Sequence, residues 1–207
     1  MRSNILDAAM RAFTQHGYAS APMDSVAAEA GISKGSIYNY FPSKKDLFIQ
    51  ILHRLSNHDE QELQDLVVRS GSVREKVEQM LDNWNRRLPA YEEVGRLFLE
   101  FWAVAARDER EGPIKQHLNH LRERWEKVIA GLIREGSREG SFLPNLDPDI
   151  AAALIVSAYD GLSLRSILHL TEEDVPTLAA ALKRAILRSL GCQLEGDAPK
   201  ETSTHGR

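Results

Sequence analysis

The sequence has one cysteine, no signal-peptide pattern and no long apolar run. Cys192 is alone among 207 residues, so an intrachain disulfide is excluded and a reducing compartment is indicated. The N-terminal segment lacks the apolar core of a signal peptide. The longest run without charge, near residues 150–159, is too short to cross a bilayer. We therefore expect a cytoplasmic protein that does not bind membranes.

The sequence also lacks the motifs of common enzymes. It has no phosphate-binding glycine loop, no G-x-S-x-G and no dinucleotide fingerprint. His117 and His120, with Glu123 beyond, have a spacing that could hold a metal, but the charged residues around them favour a solvated helix face. Cys192 has no base paired with it. We predict a protein that is not an enzyme and that has no metal site and no cofactor.

The chain has no excess of positive charge, since its net charge is −4. Residues 1–54 contain six Lys or Arg and four Asp or Glu and so carry +2, which leaves −6 for the remainder. A coat of positive charge for nucleic acid or membrane is therefore excluded, whereas a small basic patch near the N-terminus is not.

Apolar residues recur at helical spacing along most of the chain, and no segment alternates convincingly with period two. This pattern predicts an all-α protein of about nine helices, in which three short helices precede a long fourth one. The later helices are predicted at residues 73–88, 91–107, 113–136, 148–169 and 173–190. We expect a small domain over residues 1–46, a helical bundle over 47–191 and a disordered polar tail over 192–207.

Residues 28–47, AEAGISKGSIYNYFPSKKDL, place two tyrosines, an asparagine and a lysine beside a turn glycine. The apolar residues that precede Gly31 share one helix face: Met23, Val26, Ala27 and Ala30. After the turn, Ile37 and Phe41 are four residues apart on a second helix. Two short helices that meet at a glycine in this way are typical of a helix-turn-helix.

The second of these helices directs polar and aromatic residues away from Ile37. At 100° per residue its outward positions are Gly35, Ser36, Tyr38 and Asn39, and Ser33 is a candidate N-cap. Hydroxyl groups, lysine and backbone N–H groups bind phosphate, and Asn39 can pair with an adenine edge. The pattern indicates a helix that enters the DNA major groove, although spacing alone fits an ordinary helical corner equally well.

Residues 5–48 resemble the N-terminal DNA-binding domain of the tetracycline-repressor (TetR-like) family of bacterial transcription regulators. The matching elements include Ile5-Leu6, Ala8-Ala9, Phe13, Gly17-Tyr18, Val26-Ala27, Ala30-Gly31, Ser33 to Tyr38, Tyr40-Phe41, Lys44 and Leu47. The resemblance implies an all-helical homodimer whose first three helices bind a palindromic operator. It also implies a C-terminal domain that dimerises and holds a small molecule, which moves the fourth helix and releases the DNA. The DNA-binding residues carried over are Ser33, Lys34, Gly35, Ser36, Tyr38, Asn39, Tyr40 and Lys44.

Two features depart from the pattern of that family. Ala21 and Pro22 stand where members often have Thr-Ser or Thr-Thr, which cap the second helix and contact phosphate. Pro22 suits a first helical turn, but Ala21 cannot cap it. Only Arg2 precedes the first apolar stripe, where many members have a basic arm.

The helices predicted at 148–169 and 173–190 are candidates for a dimer interface. The first is apolar on nearly all sides, which indicates burial on all of them. The second has an apolar stripe from Val175 to Leu190. We expect both to form a four-helix contact with a second subunit; the alternative is that they pack only within their own chain.

Large aromatic residues on the inner helices are candidates for the lining of a ligand pocket. They are Trp84, Phe98, Phe101, Trp102, Trp125 and Tyr159. Such a set suits an apolar, aromatic or cationic ligand, although aromatic residues at helical spacing are also ordinary core. Asp160 could pair with a cationic ligand or form a salt bridge with Arg165, and the salt bridge is favoured.

The sequence therefore predicts a ligand-responsive transcriptional regulator, most simply a repressor, that binds palindromic double-stranded DNA as a homodimer and is released by a small effector. A DNA-binding protein without an effector, acting through a protein partner, is one alternative; a solid C-terminal bundle would favour it. A helix-turn-helix that has lost DNA binding and contacts protein is the other.

Overall fold

The computed structural model describes residues 1–107, 112–144, 146–170 and 174–194, and within these ranges it contains helices and no strands. The α-helices are α1 (Arg2–His16), α2 (Met23–Ala30), α3 (Lys34–Tyr38), α4 (Lys44–Val68), α5 (Val73–Arg87), α6 (Tyr91–Arg107), α7 (Pro113–Glu139), α8 (Pro148–Leu168) and α9 (Val175–Ser189). A short 3₁₀ helix, Leu88–Ala90, joins α5 to α6. The prediction of an all-α chain with about nine helices is confirmed.

Side-chain caps fix where several helices begin. The Ser43 side chain accepts a hydrogen bond from the Asp46 backbone N–H at the start of α4. Ser72 and Glu75 form a reciprocal capping box at the start of α5. These bonds satisfy N–H groups that have no partner within the helix, which is why the chain can break near Pro42 and Arg69–Gly71 and resume as helix.

Two hydrophobic clusters fill the protein. The first gathers α1, α2, α3 and the first part of α4, and it also takes Leu97 and Phe101 from α6 and Ile114 from α7. The second gathers the end of α4 with α5, α7, α8 and α9. The first cluster therefore extends past residue 46, and the division at 46/47 stays a prediction that cuts through a shared core.

The start of the predicted tail is ordered. Cys192 is 6% exposed, its backbone N–H donates to the Leu187 carbonyl, and the Arg74 side chain donates to the Gln193 carbonyl. Leu194 packs against the second cluster. The expectation of disorder at residues 192–194 is therefore wrong, because the chain still has apolar surface to bury there. Residues 195–207 lie outside the described part of the chain.

Helix α8 buries one face and exposes another. Ala152, Ile155, Val156, Tyr159 and Leu162 pack in the second cluster. Ile150 and Leu154 are 61% and 65% exposed. In the part of the chain described, α8 is the one helix with the length and composition of a membrane span, which is weak evidence because core helices pass the same test. The apolar stripe of α9 packs mainly inside its own chain, through Ala179, Ile186 and Leu187.

Candidate nucleic-acid interface and ligand cavity

Helices α2 and α3 meet at the predicted glycine corner. Gly31 adopts a left-handed conformation, with φ 71° and ψ 30°, and its N–H caps the end of α2. Val26, Ala27 and Ile37 are buried between the helices, as their spacing predicted. Because three side chains on the inner faces hold the pair together, the orientation of α3 relative to α1 and α2 is fixed by packing.

The outward residues of α3 lie on the surface. Ser33 caps the helix, since its hydroxyl accepts a hydrogen bond from the Ser36 N–H at 3.2 Å. Tyr38 and Tyr40 are 41% and 43% exposed. Asn39 is exposed at the C-terminal end of α3, so Tyr40 lies just beyond the helix. Exposed aromatic residues on a short helix are unusual for a solvated face and fit a surface that meets another molecule.

Gly35 has space around it. A Cβ built on Gly35 would meet only the Ser33 hydroxyl oxygen, at 3.9 Å, which is ordinary contact. The fold therefore does not require glycine here, unlike at Gly31 with its positive φ. A glycine that the fold does not need is consistent with close approach of a partner to the backbone.

Lys34 and Asp24 form a salt bridge across the corner, with 2.9 Å between the amine and a carboxylate oxygen. The hydrogen bond to Asp24, and then its charge, raises the pKa of Lys34. Both side chains are largely exposed, so the pair adds little to stability. Lys34 can exchange this partner for a phosphate.

Lys44 is not placed as a free phosphate contact. Its amine donates to the carbonyl oxygens of Ala19 and Ala21 at 3.1 and 2.7 Å, and it lies over the ring of Tyr18 at 5.3 Å. Burial lowers the pKa of Lys44. The resemblance assigns Lys44 to the DNA-binding residues, whereas in the structure two of its three N–H donors are taken by carbonyls of the α1–α2 loop.

The start of α2 has no side-chain cap, in line with the departure at Ala21 and Pro22. Pro22 occupies the N-cap position in an extended conformation, and Ala21 is buried. Lys44 binds the carbonyl of Ala21 just before this helix. The loop that a threonine would otherwise fasten is thus held from α4.

A cavity of about 380 Å³ lies among α5, α6, α7 and α8. Five of the six predicted aromatic residues line it: Trp84, Phe98, Trp102, Trp125 and Tyr159. Phe101 does not. It is fully buried in the first cluster, where its ring stacks on Phe48. Residues three apart on a helix differ by about 60° in direction, and that difference separates Phe98 from Phe101.

Aromatic rings form one wall of the cavity. Trp84 meets Trp125 edge to face at 4.8 Å and Tyr159 at 4.7 Å between centroids. The Tyr159 hydroxyl donates to the Asn85 side-chain oxygen at 2.8 Å, which fixes the ring. Burial raises the pKa of Tyr159, so it is neutral at physiological pH. Rigid rings of this kind present π-faces to a ligand at low entropic cost.

Asp160 contributes the carboxylate of the cavity lining. Desolvation raises its pKa to about 6, against the opposing charge of Arg122 and assisted by that of Glu126. The favoured salt bridge with Arg165 is not formed in the described structure. Residues five apart on a helix differ by about 140° in direction and do not face each other. Asp160 is exposed to solvent at the cavity lining, and a cation bound beside it would stabilise its ionised form.

Polar residues of the cavity were missed by sequence reasoning. Arg87 and Arg122 line it, and each has a carboxylate partner, Glu62 at 2.8 Å and Glu126 at 2.6 Å. Lys115 also lines it and is exposed. Lys115, Arg122 and Trp125 recur at helical spacing on α7, and that spacing from Trp125 was the signal available.

His117 is half-buried against α4, not on a solvated face. Its ring meets that of His53 at 4.3 Å, and its Nε2 atom is buried without a hydrogen-bond partner. Burial, then the charge of His53, lowers the pKa of His117, with Glu60 opposing. In the described ranges no group of three or more His, Cys, Asp or Glu side chains is arranged to hold a metal.

Family models match both parts of the chain. Residues 5–51 match the model of bacterial regulatory proteins of the tetR family. Residues 73–191 match the C-terminal model of BetI-type transcriptional repressors. The second match alone covers more than half of the 207 residues.

Individual relatives agree over nearly the whole length. The helix-turn-helix transcriptional regulator YhgD of Bacillus subtilis (strain 168) is 26% identical over 90% of this chain and 94% of its own. A transcriptional regulator from Saccharomonospora viridis, solved in complex with choline, has a TM-score of 0.75 at 24% identity, covering 90% of this chain and 95% of that one. FadR from Bacillus subtilis, solved with stearoyl-CoA, has a TM-score of 0.68 at 18% identity, covering 91% and 99%. The two structures establish a shared fold.

Proposed function

The chain belongs to the TetR family of bacterial regulatory proteins, and we propose that it is a ligand-responsive repressor that binds a palindromic operator as a homodimer. The proposal rests on two features of the same chain. The α3 helix exposes polar and aromatic residues from a well-packed helix-turn-helix, and the C-terminal helices enclose a cavity lined by aromatic rings. It is a transcriptional regulator with a helix-turn-helix domain. We further propose that it acts in the cytoplasm and has no enzymatic activity.

The DNA-binding residues follow from exposure and chemistry. We propose that α3 enters the major groove and that its outward residues meet bases and phosphates: Ser33, Lys34, Gly35, Ser36, Tyr38, Asn39 and Tyr40. The side-chain amide of Asn39 can form two hydrogen bonds with an adenine edge, and the serine and tyrosine hydroxyls can donate to phosphate oxygens. Lys44 stabilises this surface indirectly, because its amine holds the α1–α2 loop through the carbonyls of Ala19 and Ala21.

Dimerisation is supported by the exposed apolar face of α8. Ile150 and Leu154 lie one turn apart and are mostly exposed in the single chain. A second subunit that covers them through two-fold symmetry would bury this surface and set two α3 helices against one palindrome. Half-sites are then expected about one helical turn, or somewhat more, apart.

The effector that the cavity fits best is a small organic cation with apolar substituents. The Trp84, Trp125 and Tyr159 rings offer π-faces, and Asp160 offers a carboxylate with no ion-pair partner in the described structure. The regulator solved with choline has the same fold, and choline is a cation of this class. The two cavity arginines already have carboxylate partners, which reduces their pull on an anion.

A thioester with an anionic headgroup is the second candidate effector. Lys115 is exposed in the cavity lining and could meet a phosphate, and FadR from Bacillus subtilis was solved with stearoyl-CoA. Selection of bound duplexes from a random pool, followed by competition with choline, tetraalkylammonium ions or acyl-CoA, tests both candidates. A palindrome lost with the cations supports the first candidate, and one lost only with acyl-CoA supports the second.

Two other outcomes would favour the remaining alternatives. A palindrome that no compound disturbs would favour a regulator without an effector, against the cavity volume of about 380 Å³. No enriched duplex at all would mean that α3 meets protein instead of DNA.

A further inference from the structure

Phe101 lies between the cavity and the DNA-binding helices. Phe98 and Phe101 are neighbours on α6, with ring centroids 6.3 Å apart and ring planes at 76°. Phe98 lines the cavity, whereas Phe101 is fully buried in the first cluster. Helix α6 therefore presents one ring to the ligand space and the next to the N-terminal core.

Stacked rings continue from Phe101 into that core. Phe101 on α6 stacks on Phe48 of α4 at 4.2 Å, with ring planes at 29°. Phe48 stacks in turn on Tyr18, in the α1–α2 loop, at 4.0 Å and 20°. Phe13 of α1 closes the group edge to face against both Phe48 and Tyr18. Rings of three elements and one loop thus lie in unbroken contact.

The loop end of this stack is tied to the start of α2. The Lys44 amine lies over Tyr18 and donates to the carbonyls of Ala19 and Ala21. Residue 22 is the N-cap of α2, so a shift of Tyr18 or of the loop reaches α2 within a few residues. Helix α6 also contacts this loop closely, since a Cβ on Gly17 would lie 2.9 Å from a Glu100 oxygen.

We propose that the rings of Phe98, Phe101, Phe48 and Tyr18, the aromatic relay, transmit occupancy of the cavity to α2 and α3. Phe101 is the positioning residue at its centre. A packed core does not deform continuously, so a ligand that displaces Phe98 and α6 shifts the stacked rings as a unit. This inference rests on the proposed function, because it assigns the route by which effector and operator influence each other.

Tryptophan fluorescence gives a direct test that needs no effector. All three tryptophans of the chain line the cavity, and none lies in α1–α3. Coupling between two sites is reciprocal, so an operator that responds to the cavity must also alter it. We would titrate full-length wild-type protein with the selected operator duplex, excite tryptophan selectively and record the emission.

The variants are Phe101→Leu and Tyr18→Leu, which remove a ring and keep an apolar side chain. Tyr18 is only partly buried, so its variant retains the deep core. We expect operator duplex to bind both variants, while the emission change that accompanies binding is largely lost, because coupling between the two sites passes through these rings. Phe142→Leu is the matched control: Phe142 is 4% exposed in the second cluster, away from the relay, and should leave the response unchanged.

Each other result overturns the relay. A full emission change in both ring variants would place the route elsewhere, for example along α4 alone. Wild-type protein that binds operator with no emission change would refute the relay and leave DNA binding intact. Absence of any operator for the wild-type protein would remove the proposed function itself, and the relay with it.

Discussion

The helix-turn-helix and the ligand cavity differ in how far along the chain their residues come from. The outward residues of α3 lie within eight consecutive positions, from Ser33 to Tyr40. The cavity takes side chains from four helices, from Trp84 to Ile167. A surface built on one helix is decided by local spacing, whereas a cavity is decided by how helices cross. The DNA-binding surface can therefore be predicted from the sequence, whereas the residues that line the cavity depend on helix packing.

The two regions also differ in their unpaired groups. On the DNA-binding face, Lys34 is paired with Asp24 and the Ser33 hydroxyl with that of Ser36. In the cavity, Asp160 has a raised pKa and no ion pair with Arg165 in the described structure. The first surface exchanges partners when DNA binds, whereas the second gains one when an effector binds.

The largest effect is expected from separating the two subunits. Leu154→Asp places a charge on the exposed apolar face of α8, and we expect a monomer whose operator affinity falls by about 100-fold or more, because both half-sites no longer bind together. Light scattering and gel shift measure the two quantities. Gln64→Glu, exposed on α4 and away from this face, is a control for added charge. A dimer with full affinity in Leu154→Asp would refute the interface.

The next largest effect concerns Asp160. Asp160→Asn keeps the shape and removes the charge. We expect choline affinity to fall about tenfold, or about 1.4 kcal/mol, because the attraction between the carboxylate and the quaternary ammonium is lost. In the wild-type protein, affinity should fall as the pH drops through about 6, where the carboxyl becomes neutral. Tryptophan fluorescence measures both. An unchanged choline affinity and pH profile in the variant would show that Asp160 does not hold the cation.

The limits of sequence reasoning follow from these same residues. Helical periodicity gave nine helices, the glycine corner and the Ser33 cap, because each depends on neighbours in the chain. It could not separate Phe98 from Phe101, nor see that Lys44 reaches back to Ala21, twenty-three positions earlier. Those contacts depend on which helices cross and at what angle. Half-buried His117 was misread for the same reason, since His53 lies on another helix.

Substitution of Lys44 distinguishes a residue that stabilises the α1–α2 loop from one that contacts a DNA phosphate. Lys44→Met should lower operator affinity by about tenfold, because the α1–α2 loop is held less firmly. The salt dependence should not change, because only a lost phosphate contact lowers the slope of log K against log salt, by about 0.9 for each contact. Lys34→Met is the comparison, and its slope should fall by about one. A slope loss in Lys44→Met as large as in Lys34→Met would return Lys44 to the phosphate contacts.

Substitution of Gly35 is expected to change protein stability and operator affinity in opposite directions. Gly35→Ala should raise the free energy of unfolding by about 0.5–1 kcal/mol, since Ala favours helix and its Cβ meets no clash, yet it should weaken operator binding. Gly31→Ala, at φ 71°, should instead lower stability. Thermal melts and gel shifts decide the matter. Operator affinity that survives Gly35→Ala would show that DNA does not approach this backbone closely.

The smallest effect is a pH dependence at the contact between α4 and α7. The lowered pKa of His117 means that the unfolded chain takes up this proton first, so stability is lost as the pH falls from about 6.5 toward the folded-state pKa. His117→Gln should remove that loss, and His16→Gln, exposed on α1, should keep it. Urea unfolding between pH 7.5 and 5 measures the difference, in a range near the ordinary histidine pKa of about 6.5. On α4, His53 lowers the pKa of His117 and Glu60 raises it. If wild type, His117→Gln and His16→Gln show the same pH profile, the effect of Glu60 on this pKa offsets the effect of burial.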